Sequence, residues 1–206
     1  MGWHSVPCLH DMPDLTERRL RQTRAEIAEA AIALFSERGF EAVTMEDIAI
    51  AAGSSRRTVY RYFPGKEDLV FEHPRRWLQH FDEVVAESRH TSGLDRCIQS
   101  LGSIAALIDA AAEAVFATYQ VYLNNPSLRA IRGRLDDESF ARFYALAEAD
   151  LPESDDKIIT AALIAGTLVG ALNGVIAAWV LLWPARSMTD LVQHALARID
   201  PILKST

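Results

Sequence analysis

Between Gly39 and Gly65 the chain switches helix off and on so often that only short helices joined by tight turns can form there. Gly39 can end a preceding helix in the left-handed conformation that glycine adopts without a Cβ clash. Thr44 with Asp47 three residues later spells a capping box, where each side chain satisfies a backbone N–H left free at a helix start. Gly53 closes that helix, Ser55 can cap the next, and Pro64-Gly65 breaks it. Upstream, Asp14 with Glu17 makes another capping box. Ile27, Ala30, Ala31, Leu34 and Phe35 then repeat at the spacing of one buried helical stripe, and Phe40 can pack back on Phe35. A supporting helix followed by two short helices with only a Gly-Ser turn between them is the layout of a helix-turn-helix unit.

Beyond Gly65 the pattern is helical throughout. Ala, Leu, Glu and Arg dominate, and alternating β-branched runs are few. A helix starting at Lys66 is kinked or restarted at Pro74 and runs to about Ser88, with a loop at 91–93. Leu94 to Ala112 and Glu113 to Asn124 read as one or two helices stopped by Asn124-Asn125-Pro126, and 127–150 as an amphipathic helix. Ile158 to Trp183 is one long apolar helix ended by Pro184, and Met188 to Leu203 is the last. The expected fold is all-α, with a leader at 1–13, a helix-turn-helix domain at 14–65 and a larger helical domain at 66–206.

The net charge of −7 at first argues against nucleic acid. Its distribution reverses that. Residues 1–66 hold nine basic and nine acidic side chains, so the remaining 140, with 12 and 19, carry all of the excess. Ser54 to Lys66 has four basic residues and no acid, a local footprint that the total conceals. A recognition helix enters the major groove by its N-terminal end. Here that end offers Ser54, Ser55, Arg56 and Arg57, with Arg61 one turn on. Arginine can take both O6 and N7 of guanine, and hydroxyls serve a base or a phosphate.

The residues at 16–70 resemble the TetR family of bacterial regulators. The resemblance rests on Arg24, Ala30-Ala31-x-x-Leu34-Phe35, Glu37-x-Gly39-Phe40 and Thr44-x-x-Asp47-Ile48-Ala49. It continues through Ala52-Gly53, Ser55-x-x-Thr58-Val59-Tyr60-x-Tyr62-Phe63 and Lys66-Glu67-x-Leu69. It implies that Thr44, Tyr60, Tyr62 and Lys66 touch the DNA backbone, with Thr58 among the contact residues. Arg57 departs from the small residue, commonly glycine, that the family often has there, and Ser54 from a small aliphatic one, so the operator cannot be taken from a relative. The resemblance further implies a homodimer on a palindromic operator, paired through its last two helices, and a small effector bound in the larger domain that releases the DNA.

The 26 uncharged residues from Ile158 to Trp183 would span about 39 Å as helix, enough to cross a bilayer. A membrane-associated or soluble helical binding protein, with 158–183 as a membrane or partner helix, is therefore the alternative. Acidic rather than basic flanks, and the polar Thr160, Thr167 and Asn173, favour a helix shared between a core and a dimer interface. Gly166, Gly170 and Gly174 would allow close helix approach, with Trp179, Leu191, Ala195 and Ile199 completing the interface. For the effector pocket the candidates are Trp77, Phe81, Phe116, Tyr119, Tyr122, Phe143 and Asn173. Few basic side chains interrupt the apolar stripes in that region, so an uncharged or amphiphilic effector is expected.

No catalytic motif is present: GxSxG, HExxH, the P-loop and GxGxxG are all missing. Cys8 and Cys97 form no CxxC, and His4, Cys8 and His10 fall in the leader, so no metal or cofactor is expected. The expected protein is a cytoplasmic, non-enzymatic transcriptional repressor outside the membrane.

Overall fold

The computed structural model describes residues 15–204, and among these every regular element is helical. The Asp14–Glu17 capping box and the His4, Cys8 and His10 group lie wholly or partly outside the described residues. The chain divides into two compact units, one running up to Leu69 and the other starting at Val70.

The first unit holds α1 (Leu15–Arg38), α2 (Met45–Ala51), α3 (Arg56–Tyr62) and all but the last residue of α4 (Lys66–Val70). Gly39 ends α1 with φ 85°, its N–H bonded to the Phe35 carbonyl at 2.9 Å. The turn brings the Phe35 and Phe40 rings to 4.9 Å between centroids. The buried stripe of α1 is wider than the spacing suggests, because Ala28 and Ile32 join Ile27, Ala31, Leu34 and Phe35 while Ala30 is only half-buried. Ile48 from α2, Val59 from α3 and Phe63 close this core, all fully buried. Burying an aliphatic or aromatic side chain of this kind contributes about 1.5–3 kcal/mol.

Between α2 and α3 the chain makes a Schellman turn. Ser54 N–H reaches the Ala49 carbonyl at 2.9 Å, Gly53 N–H reaches Ile50 at 3.1 Å, and Gly53 sits at φ 59°. α3 ends at Tyr62, one residue before the expected Phe63, which has left the helix as its C-cap.

The second unit contains α5 (Glu72–Glu87), α6 (Gly93–Ala110), α7 (Ala112–Asn124), a single 3-10 turn (Pro126–Leu128), α8 (Arg129–Asp150), α9 (Lys157–Leu182) and α10 (Met188–Lys204). The break after α4 falls at Phe71, and Pro74 sits in the first turn of α5, where its missing N–H costs nothing. Residues 94–124 form two helices bent by 95° at Ala111. Gly93 is the first residue of α6 rather than part of a loop, capped by the Ser92 hydroxyl.

Two carboxylates tie the bundle together by capping helices distant in sequence. Asp109 on α6 accepts the Met188 and Thr189 N–H groups of α10 at 2.6 and 2.9 Å. Asp150 on α8 accepts from Gly93 and Leu94. α8 packs most extensively on α9. The core includes Phe81 edge-on to Phe143 at 5.4 Å, and Trp179 against Phe116 and Trp183. Cys97 is a free thiol inside this core, and burial pushes its pKa up to about 12, which leaves it unreactive.

Candidate nucleic-acid interface and ligand cavity

α3 is set by its two ends. At the N-terminus the Ser55 hydroxyl accepts the Thr58 N–H at 3.1 Å and lies 2.8 Å from the Thr58 hydroxyl. At the C-terminus Arg24 of α1 donates to the Tyr62 carbonyl at 3.3 Å and stacks on Phe63, 4.6 Å from the ring centre. Val59 is fully buried, which rolls the opposite face of α3 outward.

On that face Ser55, Arg56, Arg57, Tyr60 and Arg61 are exposed, with Ser54 and Thr58 half-buried beside them. Arg56 lies 3.5 Å from Glu46 and over the Tyr60 ring at 5.5 Å. Arg61 folds over Tyr62, donating to its hydroxyl at 3.2 Å. Arg57 makes no ion pair among the described residues. Thr44 and Asp47 complete their capping box, with the Thr44 N–H donating to the carboxylate at 2.9 Å and Asp47 N–H returning to the hydroxyl at 3.2 Å. The bonds from Thr44 hold the Asp47 carboxyl below its usual range. Lys66 points into its own domain: its ammonium donates to the Phe40 carbonyl at 2.9 Å and the Glu41 carbonyl at 3.4 Å, and sits 4.7 Å from the Phe40 ring centre. Sequence reasoning assigned no task to Arg24, although an arginine 38 residues before an aromatic helix end leaves no local signal.

In the second unit two adjoining spaces share Tyr119, Arg132, Asp136 and Ile176 on their walls. The inner one is about 60 Å³ and takes Trp77, Phe81 and Phe143. The outer one is an open cleft of about 450 Å³ that takes Tyr122 and Asn173. Only the outer space reaches the roughly 300–1,000 Å³ of small-molecule sites. Phe116 lines neither; it is stacked on Trp183 at 5.3 Å, in the aromatic cluster at the end of α9.

The expectation that few cations interrupt these walls is corrected. Arg132 stands between the two spaces with 14% of its side chain exposed, pairing through Nε with Asp136 at 3.1 Å. It also donates to the Tyr119 hydroxyl at 2.9 Å and to the Asn173 Oδ1. Burial opposes its charge, but Tyr119 and Asp136 outweigh that, and its pKa is raised. Burial also pushes the Tyr119 phenol above its usual range, against the pull of Arg132. Arg142 lines the inner space too, held in a forked pair with Asp82 at 2.9 and 3.0 Å. The missed signal was one of phase: Arg132, Leu135, Ser139 and Phe143 follow at i, i+3, i+7 and i+11, so the arginine falls on the buried stripe of α8.

The residues expected at a dimer interface divide. Gly166, Gly170 and Gly174 are exposed, with nothing within 4 Å of where a Cβ would stand. Trp179 is fully buried and Leu191 8% exposed, both within this chain's own core, and Ala195 and Ile199 pack against that core half-buried. The exposed stripe of α9 instead runs through Ile159, Leu163, the three glycines, Ala177 and Leu181.

Residues 27–72 match the model of the family described as bacterial regulatory proteins, tetR family. The transcriptional repressor KstR2 of Rhodococcus jostii (strain RHA1) is 37% identical over 98 residues, covering 47% of this chain and 45% of that protein. The transcriptional regulator HbdR of Aromatoleum sp. (strain CIB) is 29% identical over 149 residues, covering 71% of this chain and 62% of that protein. The matches thus span about half the length of these relatives. The fold is similar to that of the transcriptional regulator FadR from Bacillus subtilis, solved in complex with stearoyl-CoA. That likeness has a TM-score of 0.59 at 18% identity, over 84% of this chain and 95% of that one. Residues 27–72, set on an all-helical fold, thus carry the signature of the family described as bacterial regulatory proteins, tetR family.

Proposed function

We propose that the protein is a cytoplasmic transcriptional repressor, not an enzyme, that binds a palindromic operator as a homodimer and is released by a small apolar or amphiphilic effector. The observation that carries the reading is the outward face of α3. Its N-terminal turn presents Ser54, Ser55, Arg56 and Arg57, while Val59 and Arg24 anchor its back and its end. Arg56, Arg57 and Arg61 are the base readers. Thr44, Tyr60, Tyr62 and Lys66 serve the phosphates and fix the register, and the hydroxyls of Ser54, Ser55 and Thr58 serve a base or a phosphate. Two such helices, one per subunit, read successive major grooves roughly 34–36 Å apart.

The exposed apolar stripe of α9, from Ile159 to Leu181, supports the dimer. Leu163 is 56% and Leu181 84% exposed, an exposure that a partner helix would remove. The opposite face of α9 is committed to the bundle through Ala161, Leu168 and Trp179, and beside the stripe Asn173 accepts from the buried Arg132. A lipid-spanning helix could not keep that contact without carrying the guanidinium along, which favours the dimer over a membrane span. The cleft beside Tyr119 and Asn173 is the effector site, and the acyl ligand of the FadR complex supports an effector with an apolar body. Effector binding favours a conformer whose two DNA-reading helices no longer match the groove spacing, a population shift limited by differential affinity.

Selection of bound duplexes from a random library at several salt concentrations tests this. The expected result is recovery of one palindrome with a steep salt slope. Binding that fails to sort by sequence would overturn it.

A further inference from the structure

The polar cluster at the cleft has a direction. Guanidinium nitrogens only donate, so the Tyr119 hydroxyl oxygen and the Asn173 Oδ1 must both act as acceptors toward Arg132. That fixes the Asn173 amide with Nδ2 turned the other way. It also leaves the Tyr119 O–H and the Asn173 N–H groups unspent, since neither donates a hydrogen bond among the described residues. Tyr119 is only 5% exposed, and a buried donor without an acceptor is costly. Its raised pKa keeps the phenol a donor throughout the physiological range. Both residues line the cleft of about 450 Å³, whose other wall is apolar through Leu123, Ile176 and Val180.

Charge narrows the partner further. Arg132 and Asp136 neutralise one another at 3.1 Å, so the cluster offers donors without a net positive charge. A carboxylate would bring a second anion beside Asp136, and an alkylammonium has no lone pair with which to accept from the two donors.

We infer that the effector is a neutral, largely apolar molecule whose carbonyl oxygen is held by Tyr119 and Asn173, with Arg132 as the positioning residue that sets their polarity. This rests on the cleft being the effector site.

The test is a comparison of binding constants for methyl decanoate, decanoate, decylamine and undecane on the full chain, by calorimetry and tryptophan fluorescence. Methyl decanoate should bind about ten- to a hundredfold more tightly than undecane, with decanoate and decylamine weaker than the ester. Tyr119→Phe, which keeps the ring, and Asn173→Asp, which keeps an acceptor for Arg132 but removes the donors, should each weaken the ester by about tenfold or more and leave undecane unchanged. An ester no tighter than undecane, decylamine as the strongest ligand, or indifference of the ester to both substitutions would overturn the inference. DNA binding of the same preparations is measured separately. Its absence would count against the regulator while leaving the ratio of ester to alkane to decide this point, and an ester that binds as expected without weakening operator binding would count against the cleft as the effector site.

Discussion

Arg57→Ala separates base reading from backbone contact most cleanly. Arg57 is exposed and makes no ion pair among the described residues, so its removal should change folding stability by no more than about 0.5 kcal/mol. Any loss of DNA affinity then belongs to the complex. A bidentate contact to guanine contributes about 1–3 kcal/mol, and a dimer on a palindrome makes it twice. The expected cost is therefore about 2–6 kcal/mol, or roughly thirtyfold to twenty-thousandfold in affinity on the selected operator. Arg56 should cost less, because in the free protein it is already stacked on Tyr60 and paired with Glu46 at 3.5 Å, and must leave both to reach a base. Competition binding against every single-base variant of the operator, for wild type and both arginine variants, supplies the assay. Arg57→Ala should flatten preference at one symmetric pair of positions and leave the others intact. Uniform weakening across all variants would refute its assignment as a base reader.

Gly93→Ala would place a Cβ 2.2 Å from the Leu146 carbonyl oxygen and 2.8 Å from its carbon, both backbone, and disturb the cap that Asp150 gives to α6. It should cost about 2–4 kcal/mol, read as a Tm lowered by about 5–15 °C. Asp47→Asn tests the capping box by pH. The Asp47 carboxyl is lowered in the folded protein, so its contribution is complete above the unfolded value near 3.9 and is lost as pH falls through the lower folded value. Urea unfolding should show wild type ahead of the variant by a constant margin at pH 5–7, narrowing only under acid; a margin that closes near neutrality would contradict the assignment. Leu163→Asp places a charge on the exposed α9 stripe and should give a folded monomer by sedimentation equilibrium, with helical content retained; an unchanged dimer would refute that stripe as the interface.

What could be read from the residues alone was what local chemistry decides. The Thr44–Asp47 box, the Ser55 cap and the glycine at φ 85° each depend on a handful of neighbours, and all three stand in the structure. The break at Ala111 falls within a residue of the division expected after Ala112, but no Gly or Pro there announces its 95° angle. On α9 the difficulty was of another kind. A helix apolar on every side carries no periodicity to separate core from partner surface, so Trp179, buried in its own chain, looked as eligible for an interface as Leu181. Arg132 was passed over because a charge on an amphipathic helix reads as solvent-facing until its phase with Leu135 and Phe143 is counted.

Lys66 is where the local signal and the fold pull apart, and two readouts can separate them. At a helix start, a lysine four residues beyond a recognition helix suits a phosphate. In the folded domain its ammonium spends two of its three protons on the Phe40 and Glu41 carbonyls and rests against the Phe40 ring. Those contacts pin the turn between α1 and α2. Lys66→Ala should therefore destabilise the domain by about 1–2 kcal/mol, since a charge-assisted bond is discounted where solvent reaches it. If the third proton also meets a phosphate on each half-site, the same variant should shallow the salt slope of operator binding by about one unit per contact. A lowered Tm with an unchanged slope would make Lys66 a brace for the reading head and nothing more. A shallower slope with an unchanged Tm would mean that the two carbonyl contacts give way to the phosphate at no cost to the fold.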